Sequence, residues 1–337
     1  MPLTFNNRRR TLYIAAESTE GTFVGKTTLF VIGDAVVPSE SIKPEYNVER
    51  TERTVDNPTG QEIAAIHSRA SGGLSFSTRL IGPAAKGTAG PLSNMLKTFL
   101  SEVLVASTSA TYAYNINSTT RLSIGWGIIR EDGSYEMQTA WAGCGASKFT
   151  LKADGPGKAI MCDWTFLGKQ AYDTNAPVVI DDNSPQTAIV YVDDVTHGFT
   201  FRNPSARSGI FARNISKFEL DFDLKGELGT DIGDPSTYDW LKAGFIVPKI
   251  KADPALELSG SYPDLANYIA GTTGASGFTV TNAAGDTFTL SLPHIQTSKL
   301  SDGSRDHTST WEFEGECFRA QDGVTAAAAD AVSMVFA

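Results

Sequence analysis

Apolar and polar residues alternate along much of the chain. Lys217-Phe218-Glu219-Leu220-Asp221-Phe222-Asp223-Leu224 places every second side chain on one apolar face, the period of a strand with one buried and one wet side. The same alternation runs through Leu74–Leu80, Ile160–Phe166, Phe288–Leu292 and Trp311–Glu314. Asp132-Gly133 and Gly285-Asp286 fall between such runs and predict tight hairpin turns. Two stretches follow a helical period instead. After Pro91, the residues Leu92, Met95, Leu96, Phe99, Leu100, Val103 and Leu104 form one continuous apolar face, which predicts a helix over 91–104. A shorter helix is predicted over Pro263–Gly271, with Leu265, Tyr268 and Ile269 on one face and Gly271 closing it. The chain therefore reads as mainly β, with several strands and one helix in each half.

These features recur in order. Ile42 and Ile215 lie 173 residues apart, as do Leu92 and Leu265, and Asn94 and Asn267. Gly133 and Gly285 are separated by 152, Ser147-Lys148 and Ser298-Lys299 by 151. Trp164-x-Phe166-x-Gly168 and Trp311-x-Phe313-x-Gly315 are separated by 147. The shrinking offset places extra loop in residues 105–125 of the first copy. A fold of about 165 residues, duplicated, accounts for the order. The predicted boundary falls in Tyr172–Gln186, which holds Pro177, Pro185, Asp181, Asp182 and Asn183, giving units 1–172 and 173–337.

The length of 337 residues suits two such units, and 41% apolar with 20% charged residues is the composition of an ordered globular chain. Three cysteines without a CxxC pair exclude a disulfide scaffold and point to a reducing compartment. Met1–Arg10 has no apolar stretch that would make it a signal peptide, and no apolar run approaches membrane-spanning length. Residues 1–172 carry 17 Lys/Arg and 15 Asp/Glu, a net of +2. Residues 173–337 carry 11 and 23, a net of −12. Nucleic-acid binding needs clustered cations, and Arg8-Arg9-Arg10 is the one basic cluster, read from its position as a solvated arm. An acidic surface repels phosphate, which serves where nucleic acid must pass without sticking.

Signals for catalysis are weak. Gly25-Lys26-Thr27-Thr28 has the end of a phosphate-binding loop, but Glu20 stands where the first glycine belongs and a strand follows. His67, His197, His294 and His307 have no ligand spacing, so neither metal nor cofactor is expected. Cys162 and Cys317 read as buried thiols on strands, and Cys144, between glycines, as a turn residue. Asp221, Asp223, Asp231, Asp234 and Asp239 read as a wet strand face and its loop. The stretch from Pro38 to Ser71 mixes both signs of charge in Glu45, Glu49, Arg50, Glu52, Arg53 and Asp56. It reads either as a surface loop or as a projecting hairpin that sets register against a neighbouring subunit.

The opening Tyr13-Ile14-Ala15-Ala16-Glu17-Ser18-Thr19-Glu20-Gly21-Thr22, the charged segment Glu45–Asp56, the strand Leu74–Leu80 and the helix after Pro91 together resemble the major tail tube proteins of long-tailed bacteriophages. Ala142–Phe149 and the strand ending Trp164-Thr165-Phe166-Leu167-Gly168 are similar to that family's late strands. The resemblance implies tandem tail-tube-like β-sandwich or barrel domains, each with one flanking helix. It implies a virion protein without catalytic residues or cofactors, assembled in the host bacterial cytoplasm. Its partners would be copies of itself, stacked as rings, and other tail proteins at the tube ends. DNA would pass through the lumen without specific binding, and no membrane anchor is expected. Glu45, Glu49, Arg50, Glu52, Arg53 and Asp56 would form the contact loop between subunits or rings, and Arg8, Arg9 and Arg10 an arm contact. With two units per chain, three chains make a pseudo-sixfold ring; one tube domain plus a decoration domain would instead give six chains per ring. Two other readings stay open: another virion β-sandwich component (decoration or receptor-binding), and a carbohydrate-active enzyme using Trp126, Trp141 and Trp240 as sugar platforms.

Overall fold

Period-two runs become strands throughout the computed structural model, which describes residues 10–24, 30–32, 41–53, 63–83, 85–114, 120–129, 135–154, 158–170, 204–224, 227–230, 238–242, 247–256, 264–281, 285–318 and 331–337. The first half contains β1 (Arg10–Ala16), β2 (Phe30–Ile32), β3 (Lys43–Arg53), β4 (Ile63–Arg79), α1 (Ser93–Leu96), β5 (Leu100–Val105), β6 (Ser109–Tyr114), β7 (Leu122–Ile129), β8 (Tyr135–Ala153) and β9 (Met161–Gln170). The second contains β10 (Pro204–Ser208), β11 (Phe218–Asp223), β12 (Glu227–Thr230), β13 (Tyr238–Lys242), β14 (Lys249–Ala252), α2 (Asp264–Ala270), β15 (Thr273–Thr281), β16 (Thr287–Arg305), β17 (Thr308–Cys317) and β18 (Ser333–Phe336). The fold is mainly β. Among the described residues, sixteen strands join in one antiparallel sheet, and β12–β13 form a separate pair.

The two halves use the same pairings. β1–β7, β7–β8, β8–β9, β9–β4 and β4–β3 in the first half have counterparts in β10–β15, β15–β16, β16–β17, β17–β14 and β14–β11. Irregularities recur as well. A register shift between Leu122 and Ile124 matches one between Gly274 and Ser276, and the shift between Ala146 and Lys148 matches that between Thr297 and Lys299. The Leu80 amide donates to the Ile160 carbonyl at 2.9 Å, and 176 residues later the Leu256 amide donates to Ser309, also at 2.9 Å. These landmarks set Ile42 against Phe218 rather than Ile215, and Trp164 against Phe313 rather than Trp311. The Trp164 match moves by two residues, a slide that keeps every side chain on its own face and that alternation alone does not distinguish; the Ile42 match moves by three.

The predicted helix over 91–104 is a correction. Only Ser93–Leu96 is α-helical, and Leu100–Val105 is a strand paired with β6. Leu92, Met95, Leu96, Phe99 and Leu100 are buried as expected, but Val103, Leu104 and Val105 are exposed. The β-branched residues of 103–111 favour the hairpin, whose turn holds Ser107 at a φ of 58° and bonds the Thr108 amide to the Val105 carbonyl. α2 forms where predicted and ends at Gly271, with a φ of 63°. The predicted turn at Gly285 also forms, with a φ of 91° between β15 and β16, while Asp132-Gly133 lies outside the described residues.

Aromatic side chains bind the halves together. Phe149 on β8 meets Trp164 at 4.5 Å and Phe222 at 5.7 Å between ring centroids. Phe99 and Tyr114 close over Phe222. A second series runs Phe211, Phe218, Phe278, Phe288 and Phe336 to Tyr112. All these side chains are buried. At the N-terminal end of the sheet, the Glu17 carboxylate accepts the Gly21 and Gly143 amides and the Ser123 hydroxyl at 2.7–2.8 Å. It thereby ties the end of β1 to β7 and β8.

One charged pair sits deep. Arg213, its side chain 1% exposed, bridges to Asp264 at the start of α2 and donates to the Ala255 carbonyl at 3.3 Å. Arg213→Ala leaves the Asp264 carboxylate buried without its cation, and the expected cost is about 3–5 kcal/mol in urea unfolding.

Candidate assembly edges

Within the charged stretch from Pro38 to Ser71, the described residues form two antiparallel strands, while 38–40 and 54–62 lie outside the described residues. β3 and β4 pair from Lys43↔Ser75 to Arg53↔Ile63, with two register shifts. Beside them β9 accompanies β4 only from Ser71 to Arg79. Beyond that point, among the described residues, the ribbon has two strands, and at about 3.4 Å per residue it extends roughly 20 Å. Glu45, Glu49, Arg50, Glu52 and Arg53 all lie on β3, and Glu45 is exposed. Asp56, Arg8 and Arg9 lie outside the described residues; Arg10 opens β1 opposite Ile128.

The halves meet edge to edge where β8 pairs with β11, from Ala153↔Phe218 to Lys148↔Asp223. Across this ladder the Thr150 hydroxyl donates to Asp221 at 2.9 Å, and Lys148 stands 3.7 Å from the same carboxylate. Lys152 bonds Asp163 on β9, and that contact raises the lysine pKa against the opposing effect of burial. A second join places β18 between β16 and β6.

Other edges remain open. The far part of β16, after Lys299, has β17 on one side and, among the described residues, no strand on the other. β3 likewise has β4 alone. An exposed strand edge offers unpaired N–H and C=O groups and is a template for another chain. Exposed apolar residues mark two further surfaces: Val103, Leu104 and Val105 on β5, and Leu265, Tyr268 and Ile269 on α2, Ile269 being 77% exposed. The sequence pattern alone had placed Val103 and Leu104 on a core-facing helix, because period shows which residues share a face and not what covers it.

Among the described residues no group of three or more His, Cys, Asp or Glu could hold a metal. His67 and His294 lie on β4 and β16, His307 in an exposed turn, and His197 outside the described residues. Asp221 takes part in the β8–β11 ladder and Asp223 is exposed; Asp239 lies on β13, and Asp231 and Asp234 lie outside the described residues. Trp141 is fully buried and cannot stack on a sugar; Trp126 is partly buried and packs on the core. Gly25–Thr28 and the predicted boundary Tyr172–Gln186 lie outside the described residues. No described helix is long and apolar enough to cross a membrane.

Cys162 and Cys317 are buried on strands as expected. Cys144 is a correction: it is buried inside β8, not in a turn. Its neighbour Gly143 carries the irregularity, with a φ of 65° at a bulge against β9. Burial pushes all three thiols up, Cys317 to about 12, with nearby carboxylates adding to the effect.

Residues 7–331 match the family model described as phage tail tube protein. A comparison with curated proteins found no match.

The thiols yield a pH prediction. A folded-state pKa raised above the ordinary 9.0 contributes stability that is complete below that value and lost as pH rises toward about 12. Unfolding free energy should therefore decline above about pH 9, as read by urea titration. At about pH 8 a thiol reagent should label none of the three cysteines until denaturant is added.

Proposed function

The chain belongs to the phage tail tube protein family, a structural and non-enzymatic component of the virion tail, and from that premise we propose that it polymerises as stacked rings into the hollow tube that delivers the genome. Each chain contributes two tube units, 1–172 and 173–337, so that three chains complete a pseudo-sixfold ring. The observation that carries this count is the recurrence of five strand pairings, with two matching register shifts, in both halves. A decoration domain of another fold would not reproduce that series, which disfavours six chains per ring.

The mechanism is assembly rather than catalysis. Open edges, a hazard in a monomer, become productive when the partner is another copy in fixed register. The β3–β4 hairpin, with Glu45, Glu49, Arg50, Glu52, Arg53 and Asp56, contacts neighbouring subunits, and the Arg8–Arg10 arm bridges rings. Charges of both signs select register more than they add affinity. The net −12 of residues 173–337 suits a channel that phosphate must traverse without binding. Further partners are the tail proteins that cap each end, and assembly takes place in the host bacterial cytoplasm.

Negative-stain electron microscopy with mass photometry on the purified chain tests this reading. Tubes or rings with a central hole, and masses in multiples of three chains, are the expected result. Rings of six chains that never appear as three would replace the duplicated unit with one tube domain plus decoration. Compact monomers at every concentration and salt would overturn the tube.

A further inference from the structure

The β8–β11 ladder is a junction between two halves that share one strand plan, and the chain carries the unjoined counterparts of both its edges. The matching register shifts set Lys148 against Lys299, hence Thr150 against Ser301 and Lys152 against Gly303. The 176-residue spacing sets Lys43 against Glu219, Glu45 against Asp221 and Asn47 against Asp223. In the junction, β8 lies between β9 and β11, and β11 between β8 and β14. The counterpart of β8 is the far part of β16, which has β17 alone; the counterpart of β11 is β3, which has β4 alone. These absences refer to strands among the described residues.

Resting on the ring reading above, we infer that β16 of one chain pairs antiparallel with β3 of the next, in the register Lys43↔Gly303, Glu45↔Ser301 and Asn47↔Lys299. The occupant of each edge is a second copy of this chain, and the internal junction is its template. The chemistry is preserved at the central position. Inside the chain, the Asp221 carboxylate accepts the Thr150 hydroxyl and faces Lys148. Between chains, the Glu45 carboxylate meets the Ser301 hydroxyl, with Lys299 two residues away. Glu45 is exposed in the single chain. Ser301 and Lys299 turn instead to Glu312 at 3.2 Å and Glu314 at 3.5 Å on β17, both at the surface. Those contacts are weak enough to exchange for a bond across the junction.

The two edges differ, so the contact is head to tail and closes only as a ring. Equal internal and external junctions give every unit the same rotation about the axis. Pro44, the second residue of β3, has no N–H to offer, which removes at most one bond and discourages pairing out of register.

Paired cysteines in the full chain test the register. Facing residues of an antiparallel pair lie about 4.5–5.5 Å apart at Cα, within disulfide reach. Two residues out of register, the separation is about 7–8 Å, at or beyond that reach. The double variant Glu45→Cys with Ser301→Cys should form disulfides between chains on oxidation, giving covalent dimers and closed trimers on non-reducing gels. Lys43→Cys with Ser301→Cys should give at least roughly tenfold less. The native thiols are buried and contribute little background. As a second measurement, Lys299→Glu should slow assembly and Glu45→Lys in the same chain should recover it. Stronger cross-linking of the shifted pair overturns the register. Rings that form without either cross-link, or a charge swap that recovers nothing, overturn this junction and leave the tube intact. A wild-type chain that forms no rings overturns both.

Discussion

Backbone hydrogen bonding along the β8–β11 ladder makes one sheet of two strand sets, and most of the remaining architecture follows from satisfying that edge. Without it, Phe149 and Phe222 would lose their contact across the junction, and the Phe99–Tyr114 cover would close over half a core. The carboxylate of Asp221, shared by Thr150 and Lys148, fixes the ladder in register. A shift of one residue would turn each aromatic side chain to the solvent.

The same requirement explains why irregularities recur. Register shifts at Leu122/Ile124 and Ala146/Lys148 in β7 and β8 have counterparts at Gly274/Ser276 and Thr297/Lys299 in β15 and β16. A bulge increases local twist, so repeating it repeats the curvature of the sheet. Strands of 19 residues, as in β8 and β16, serve two sets of neighbours along their length because of this bending. At the Gly143 bulge the Glu17 carboxylate holds the backbone amide and the start of the chain together.

Charge and burial divide the labour. Among the described residues, tightly buried side chains are mostly aliphatic, aromatic or thiol, with the Arg213–Asp264 pair at the start of α2 a charged exception. Ionic contacts elsewhere lie on partly exposed surfaces, where each contributes little on its own and selects among partners. Weak surface pairs thus lie above a densely packed core.

The sequence alone determined the mainly β fold, the strands around Leu74, Phe166, Phe222 and Leu290, the short helix ending at Gly271, and the order that recurs between halves. Alternation and glycine placement are local properties, so they survive without tertiary context. What only the tertiary structure decided concerns contacts between distant segments. The run after Leu96 became a strand because β6 pairs with it, and a helical period cannot compete with a ladder it does not foresee. Cys144 went into the core because Gly143 took the bulge, and the turn Asp306-His307 formed with both φ positive although neither residue is glycine. Which residues face each other across β8 and β11, and which edges stay open, are set by pairings between residues tens of positions apart. Such pairings depend on the summed fit of two surfaces and leave no short motif in either.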